Sequence, residues 1–329
     1  MHDDRQLIEE RLRRALRERL RPAIYGAAVP LDIEVWHAPG EPVSPAEALA
    51  QTYEPAAVGL PWGPAWGTAW FKFSGQVPAE WSGSEVEAVI DLGFSGGPGF
   101  SAEGLVHTTS GKPLKGLHPR QTYAPLSILG PDGTAASPGD RVEFYVEAAA
   151  NPEIPLDNAY AKVDIGAKLG EEPIYRLARA DLAVFNAEVW DLILDLEALD
   201  GLQKELSPQE PRRREILRAL SRALDALDYE NVAATAADAR AQLTDVLSRP
   251  AHASAHQLSA VGHAHIDSAW LWPLRETRRK VARTVSNVAT LAEEYPELVF
   301  AFSQAQQHAW VKDNYPEVWE RLKKAVAEG

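Results

Sequence analysis

The residues best suited to chemistry stand together in one stretch, Val261-Gly262-His263-Ala264-His265-Ile266-Asp267-Ser268-Ala269-Trp270-Leu271-Trp272-Pro273. On a strand, successive side chains point to opposite faces, so His263, His265 and Asp267 are expected to share one face. Imidazole and carboxylate on the same side suit a divalent cation, zinc foremost. A catalytic zinc takes about three protein ligands and keeps an open position. This segment offers two or three of them, so by spacing alone the site is incomplete. The same pattern also fits a strand end at which His and Asp only hydrogen-bond to each other. Trp270, following the possible ligands, is suited to form a floor under a sugar ring.

The composition narrows the chemistry further. There is no cysteine, so disulfides, thiolate metal sites and cysteine nucleophiles are excluded, and a metal must use His, Asp, Glu or water. The absence of cysteine also fits a cytoplasmic location. The formal net charge of −14 repels phosphate backbones, which argues against a nucleic-acid partner. The N-terminus MHDDRQLIEERLRRALRERL lacks the apolar core of a secretory signal, and no apolar run is long enough to span a bilayer, so no membrane partner is expected. Ten tryptophans are compatible with sugar stacking and with a core alike.

Four segments must position the motif, and together they predict an α+β multidomain chain. Residues 1–28 read as an N-terminal helix. Leu7, Ile8, Leu12, Leu16 and Leu20 recur at helical spacing, Asp3 or Asp4 is placed to cap it, and Pro22 is placed to end it. Residues 29–178 read as a β-sandwich of jelly-roll type. Its strands are expected at Ala69–Phe73, Val86–Leu92, Glu103–Thr108, Thr122–Ile128 and Val142–Ala148, with turn chemistry at Pro131–Gly133 and Pro138–Asp140. Residues 179–252 read as a helical connector. Leu182, Phe185, Val189, Leu192, Ile193 and Leu196 line one helical face, Ser207-Pro208-Gln209-Glu210 resembles a cap, and Asn231–Leu247 reads as one Ala-rich helix. Residues 253–329 switch to βα alternation. A strand from His256 into the motif precedes a basic amphipathic helix from Leu274 to Tyr295. A buried strand over Leu298–Ser303 and a helix over Tyr315–Ala327, with Asn314 as its cap, follow. Two βα units cannot close a barrel, so the α/β-barrel is expected to be truncated.

GHAHIDSAWLWP resembles the first catalytic-domain motif of glycoside hydrolase family 38, in its cytosolic and vacuolar α-mannosidase branch. RETRRKVART, FAFSQAQQHAW and YPEVWERLKKAVAEG continue the resemblance in one register through the last quarter of the chain, and PWGPAWGTAWFKF carries it into the β-rich region. The resemblance implies a retaining, zinc-dependent α-mannosidase acting on mannose-containing oligosaccharides, with zinc or another divalent cation as cofactor. By residue it implies that His265 and Asp267 bind the metal and that Trp270 packs on the mannose. It leaves His263 as an orienting neighbour rather than a ligand. It also implies that Asp267 is not the nucleophile. The nucleophilic Asp, the second zinc His and the general acid lie further on in the family, so no catalytic carboxylate is expected within this chain. Any homo-oligomer would form through the part that is lacking.

Other residues have weaker claims. Trp62, Trp66 and Trp70 suit a sugar platform but more simply a sandwich core. Asp91, Asp157 and Asp164 have no partner that spacing can name, and His252, His256 and His308 read as incidental. Gln304, Gln306 and Gln307 suit either the lining of the site or a helix cap. Two further functions compete with an enzyme fragment: a non-catalytic carbohydrate-binding or assembly module, and one part of an enzyme completed by a second polypeptide.

Overall fold

The computed structural model of the chain describes residues 4–95, 97, 99, 101–152, 170–251 and 254–328. Asp3, Asp157, Asp164 and His252 lie outside them. In chain order the strands are β1 (Tyr25–Pro30), β2 (Asp32–Ala38), β3 (Glu54–Ala56), β4 (Pro61–Trp62), β5 (Thr68–Gln76), β6 (Glu85–Asp91), β7 (Glu103–His107), β8 (Pro113–Leu117), β9 (Tyr123–Pro125), β10 (Arg141–Ala149), β11 (Tyr175–Arg176), β12 (Arg179–Phe185), β13 (Gly262–His263) and β14 (Phe300–Ala301). The α-helices are α1 (Arg5–Ala15), α2 (Pro45–Leu49), α3 (Ala187–Glu205), α4 (Pro211–Ala226), α5 (Val232–Ala241), α6 (Thr244–Leu247), α7 (Leu274–Glu294), α8 (Ala305–Asn314) and α9 (Pro316–Glu328). No helix among the described residues is long and apolar enough to cross a membrane.

These elements form two compact units, Met1–Ala28 with Ala183–Leu258, and Val29–Leu182 with Ser259–Gly329. The first is helical. A single amphipathic helix cannot bury its stripe alone, and α1 solves this with partners distant in sequence. Ile8, Leu12, Ala15 and Leu20 join Val189, Leu192 and Leu196 of α3, Ile216, Leu220 and Leu224 of α4, and Ala236 and Ala239 of α5 in one core. The expected connector is thus half of a compact unit, and the N-terminal helix supplies part of its core. Gln203 is buried there; its Nε2 donates to Glu9 at 2.9 Å and its Oε1 accepts from Arg213 Nε at 3.3 Å.

Several expected boundaries move. Leu7 is exposed rather than part of the stripe, and Asp4 occupies the N-cap position without a side-chain cap bond. The helix passes into a π turn over Leu16–Leu20 and a 3-10 turn over Arg21–Ile24. Pro22 therefore does not end it, but sits in the first turn of the 3-10 segment, where its missing N–H costs nothing. Leu182 and Phe185 belong to β12, not to a helix, which begins at Ala187. The α4 helix starts with Pro211 at its first turn, while Ser207 only closes a local bond to Gln209. Asn231–Leu247 breaks at Gln242 and Leu243 into α5 and α6.

In the second unit the six-stranded sheet has the order β3-β2-β5-β10-β7-β8, antiparallel throughout. A four-stranded sheet has the order β1-β12-β6-β9. Aromatic side chains run through the interior. Trp62 meets Phe71 edge-on at 5.8 Å, Phe71 stacks on Phe73 at 5.9 Å, and Phe73 lies 5.5 Å from Phe144. Trp62 also donates through Nε1 to the Leu92 carbonyl at 2.8 Å, so its polar edge is satisfied. The turn at Pro131–Gly133 forms as expected, with Asp132 and Gly133 both at positive φ.

Strands β7 and β8 are buried at every position, so this edge of the six-stranded sheet is covered on both faces. The cover over β7, β8 and β10 is α7. Gly116 is required there, because a Cβ would meet the Arg283 carbonyl oxygen at 3.0 Å, and its N–H donates to Asn287 Oδ1 at 2.8 Å. The face that α7 turns to the sheet is its polar one, Glu276, Arg279, Lys280, Arg283, Ser286 and Thr290, all buried. Arg279 pairs with Glu147 at 2.9 Å and with Glu276 at 3.2 Å. Arg283 pairs with Glu103 at 2.6 Å and with Glu276, and Lys280 pairs with Glu103. Asn151 Nδ2 donates to Glu276 at 2.8 Å. Three acids thus face three bases in a dry interface.

Burial alone would raise the Glu276 carboxyl pKa, but Arg283, Arg279 and Lys280 outweigh burial and hold it at about 2. The pKa is depressed on folding, so this contribution to stability is full above the ordinary value of 4.5 and is lost as pH falls toward about 2. Acid unfolding of this unit, followed by tryptophan fluorescence, is expected to fall in that window. A midpoint well above pH 4.5 would show that other groups control it.

The α/β part departs most from expectation. Only Gly262–His263 and Phe300–Ala301 pair, in parallel. Residues 256–261 and the motif beyond His263 are irregular, and the second strand is short and half-exposed rather than buried. Strand length needs a partner along its whole edge, and these two supply each other with two residues. An unexpected helix, α8, follows β14, and Asn314 is its last residue, donating to the Trp310 carbonyl rather than capping α9.

Candidate active site

The motif leaves β13 at its C-terminal end, as chemistry-bearing segments of parallel α/β structures do. Although the strand ends at His263, the alternation persists for three residues. Ile266 turns inward onto Val281, Val285, Val311 and Val318, while His265 stays exposed. His265 Nε2 and Asp267 Oδ1 lie 3.3 Å apart. His263 is exposed on β13, and no hydrogen bond joins it to either residue among the described contacts. The structure thus brings two of the three motif side chains together.

That separation is informative. Two ligand atoms at about 2.0–2.2 Å from one tetrahedral zinc are themselves about 3.3 Å apart. An imidazole nitrogen and a carboxylate oxygen are both acceptors unless the nitrogen carries the proton, so either a proton or a cation belongs between them. The donor set and its spacing therefore fit a divalent metal. No group of three or more His, Cys, Asp or Glu suited to a metal occurs among the described residues, so the pair is half a coordination shell.

The aromatic part of the motif is tied to α7. Trp270 meets Trp272 edge-on at 5.3 Å. Trp272 donates through Nε1 to Thr277 Oγ1 at 2.8 Å, and Lys280 Nζ lies 5.0 Å from the centre of its ring. Because Lys280 is itself paired to Glu103 of β7, the sandwich bears on the tryptophans through α7. Spacing could not show this, since the contact joins residues far apart in sequence.

The weaker candidates resolve structurally. Trp62 and Trp70 are fully buried and Trp66 is half-buried at a positive φ, so Trp62 and Trp70 belong to the sandwich core. Asp91 Oδ1 accepts from the N–H groups of Gly93 and Phe94 and closes a turn. His308 bonds the Phe302 carbonyl at 2.8 Å and packs beside Trp319, while His256 is exposed. Gln304 precedes α8 without a side-chain cap bond and Gln306 is exposed. Gln307 is buried and reaches back to the motif. An apolar hollow of about 730 Å³, lined by Val285, Phe300, Phe302, Trp319 and Leu322 among others, includes none of the motif residues.

Residues 29–183 match the α-mannosidase jelly roll domain, and residues 255–329 match the glycosyl hydrolases family 38 N-terminal domain. In chain order, a jelly roll of the α-mannosidase type thus precedes the start of a glycosyl hydrolases family 38 N-terminal domain. Both matches are to domains of family 38 α-mannosidases, and the chain is similar to the N-terminal portion of such proteins. It is 33% identical over 313 residues to Alpha-mannosidase 2C1 of Homo sapiens, covering 94% of this chain and 28% of that protein. It is 25% identical over 295 residues to Alpha-mannosidase G of Dictyostelium discoideum, covering 88% of this chain and 25% of that protein. The chain thus spans about a quarter of the length of these relatives. A β-glucuronidase structure from Ruminococcus gnavus aligns with 49% of this chain and 29% of its own at 14% identity and a TM-score of 0.26.

Proposed function

We propose that the chain is the N-terminal part of a retaining, zinc-dependent α-mannosidase of the cytosolic and vacuolar branch, which removes terminal α-linked mannose from oligosaccharides in the cytoplasm. The observation that carries this reading is the His265–Asp267 pair, whose 3.3 Å separation suits two ligands of one zinc, at the end of a parallel strand in a segment matching the family domain. His265 and Asp267 hold the metal, and Trp270 presents a ring face to the mannose. A zinc ion held there supplies a Lewis acid and a template for sugar hydroxyls. Asp267 acts as a ligand, so the two carboxyl groups that a retaining glycosidase needs about 5 Å apart come from elsewhere.

The chain by itself is therefore a partial metal site without turnover. Zinc added to the histidine-labelled chain is expected to shift the ring signals of His265 selectively and weakly, while an aryl α-mannoside is left intact. Ring signals of His265 that ignore zinc would remove the metal assignment, and clear hydrolysis by this chain would refute the incompleteness of the site.

A further inference from the structure

The motif has a mechanical problem. Beyond His263 it has no sheet ladder, yet its two metal-binding candidates must stay in register with each other. Gln307, in the first turn of α8, answers it. Its side chain is fully buried, and its Nε2 donates to the Ile266 carbonyl at 2.7 Å and to Ser268 Oγ at 3.1 Å. Both amide hydrogens are thus used on the residues that flank Asp267. The Ile266 side chain is meanwhile anchored between α7, α8 and α9 through Val281, Val285, Val311 and Val318. The Ile266 carbonyl before Asp267 and the Ser268 hydroxyl after it are thus both held, and the Asp267 carboxylate faces His265.

The orientation of the amide is forced, because only Nε2 can donate to a carbonyl oxygen. That leaves Gln307 Oε1 buried with no hydrogen-bond partner. A buried unpaired carbonyl is unfavourable; Met would fill nearly the same volume without one, at the cost of the donor to the Ile266 carbonyl. An apolar substitute of similar size is thus available at a position that holds an amide. The two donated bonds are the only feature of Gln307 that Met could not reproduce.

We propose that Gln307 is a positioning residue that clamps the two neighbours of Asp267, through the Ile266 carbonyl and the Ser268 hydroxyl, and so sets the geometry of the His265–Asp267 pair. The inference rests on the metal reading above for its consequence, but the clamp has its own readout. In the metal-free chain, His265 ring signals report how uniquely the pair is held. Wild type is expected to give one narrow set, and Gln307→Met a broadened or doubled set, well below the melting transition of either protein. Zinc titration of the same samples should show about 10- to 100-fold weaker binding for Gln307→Met, the range typical of residues that orient a metal ligand. Ser268→Ala removes one of the two bonds without touching α8, and should reproduce a smaller part of both effects. If Gln307 served only the packing of α8, Ser268→Ala would be silent and Gln307→Met would lower the melting temperature without changing the metal-free His265 signals; that pattern overturns the proposal. Failure of zinc to perturb wild-type His265 would instead strike the metal reading, leaving the clamp to be judged by the metal-free signals. Identical metal-free signals in wild type and Gln307→Met would overturn the clamp.

Discussion

When this chain is joined to the remainder of a family 38 catalytic domain, His265→Ala or Asp267→Ala is expected to abolish both tight zinc binding and mannosidase activity. The reason lies in the count. The described residues contain no third ligand near the pair, so each of the two is a large share of the protein's contribution from this segment. Losing a residue that merely orients a ligand costs about 10–100-fold in affinity or activity, and losing a ligand should exceed that. Trp270→Ala should behave differently. It removes ring contact with the sugar and leaves the metal in place, so zinc stoichiometry persists while kcat/KM falls. Metal analysis beside kinetics of the three variants separates these outcomes. Stoichiometric zinc in both ligand variants would replace the metal site with a simple hydrogen-bonded His–Asp loop.

The second large effect is on stability. Glu276→Leu should destabilise the unit containing the sandwich by about 3–5 kcal/mol, measured by urea unfolding, because it leaves three buried cations, Arg279, Lys280 and Arg283, with only Glu103 and Glu147 in a dry interface. The pair as a whole need not be stabilising, since desolvation of both charges offsets their attraction. Replacing Glu276 together with Arg283 by apolar residues should therefore recover part of the loss. A double variant as unstable as the sum of the single ones would show that the charges act independently. The consequence for function is positional: α7 carries Thr277 and Lys280, which touch Trp272, so a loosened α7 should also disorder the tryptophans of the motif.

Much of the architecture was legible from periodicity. The expected strands at 69–73, 86–92, 103–108 and 142–148 lie on β5, β6, β7 and β10, and the helix from Leu274 ends within a residue of its expected close. Thr122–Ile128 was only half strand, because Leu126–Ile128 turns into a 3-10 segment. Strands β1, β2, β3, β4, β8, β11 and β12 went unread, and β1 begins inside the segment 1–28 expected to be helical. β8 is buried on both faces and contains Gly116, so it shows neither alternation nor β-branched residues. β12 was taken into the following helix because Leu182, Phe185 and Val189 mimic a helical stripe across the strand–helix junction.

The sequence by itself determined the kinds of local structure and the chemistry on offer: a His and an Asp two residues apart, an aromatic beside them, no thiol, and strong acidity. These are properties of residues and their near neighbours, and a period of 2 or 3.6 expresses them without any partner. Only the tertiary structure decided which face each element buries. The α7 helix looked amphipathic in the usual sense, yet its charged face is the one pressed on the sheet, because Glu103 and Glu147 wait there from strands more than a hundred residues earlier. The α1 helix needed α3, α4 and α5 to complete its core. Gln307 acquired its meaning only when α8 folded back against Ile266 and Ser268. Burial and hydrogen-bond satisfaction depend on what arrives from distant parts of the chain, and local spacing carries no record of it.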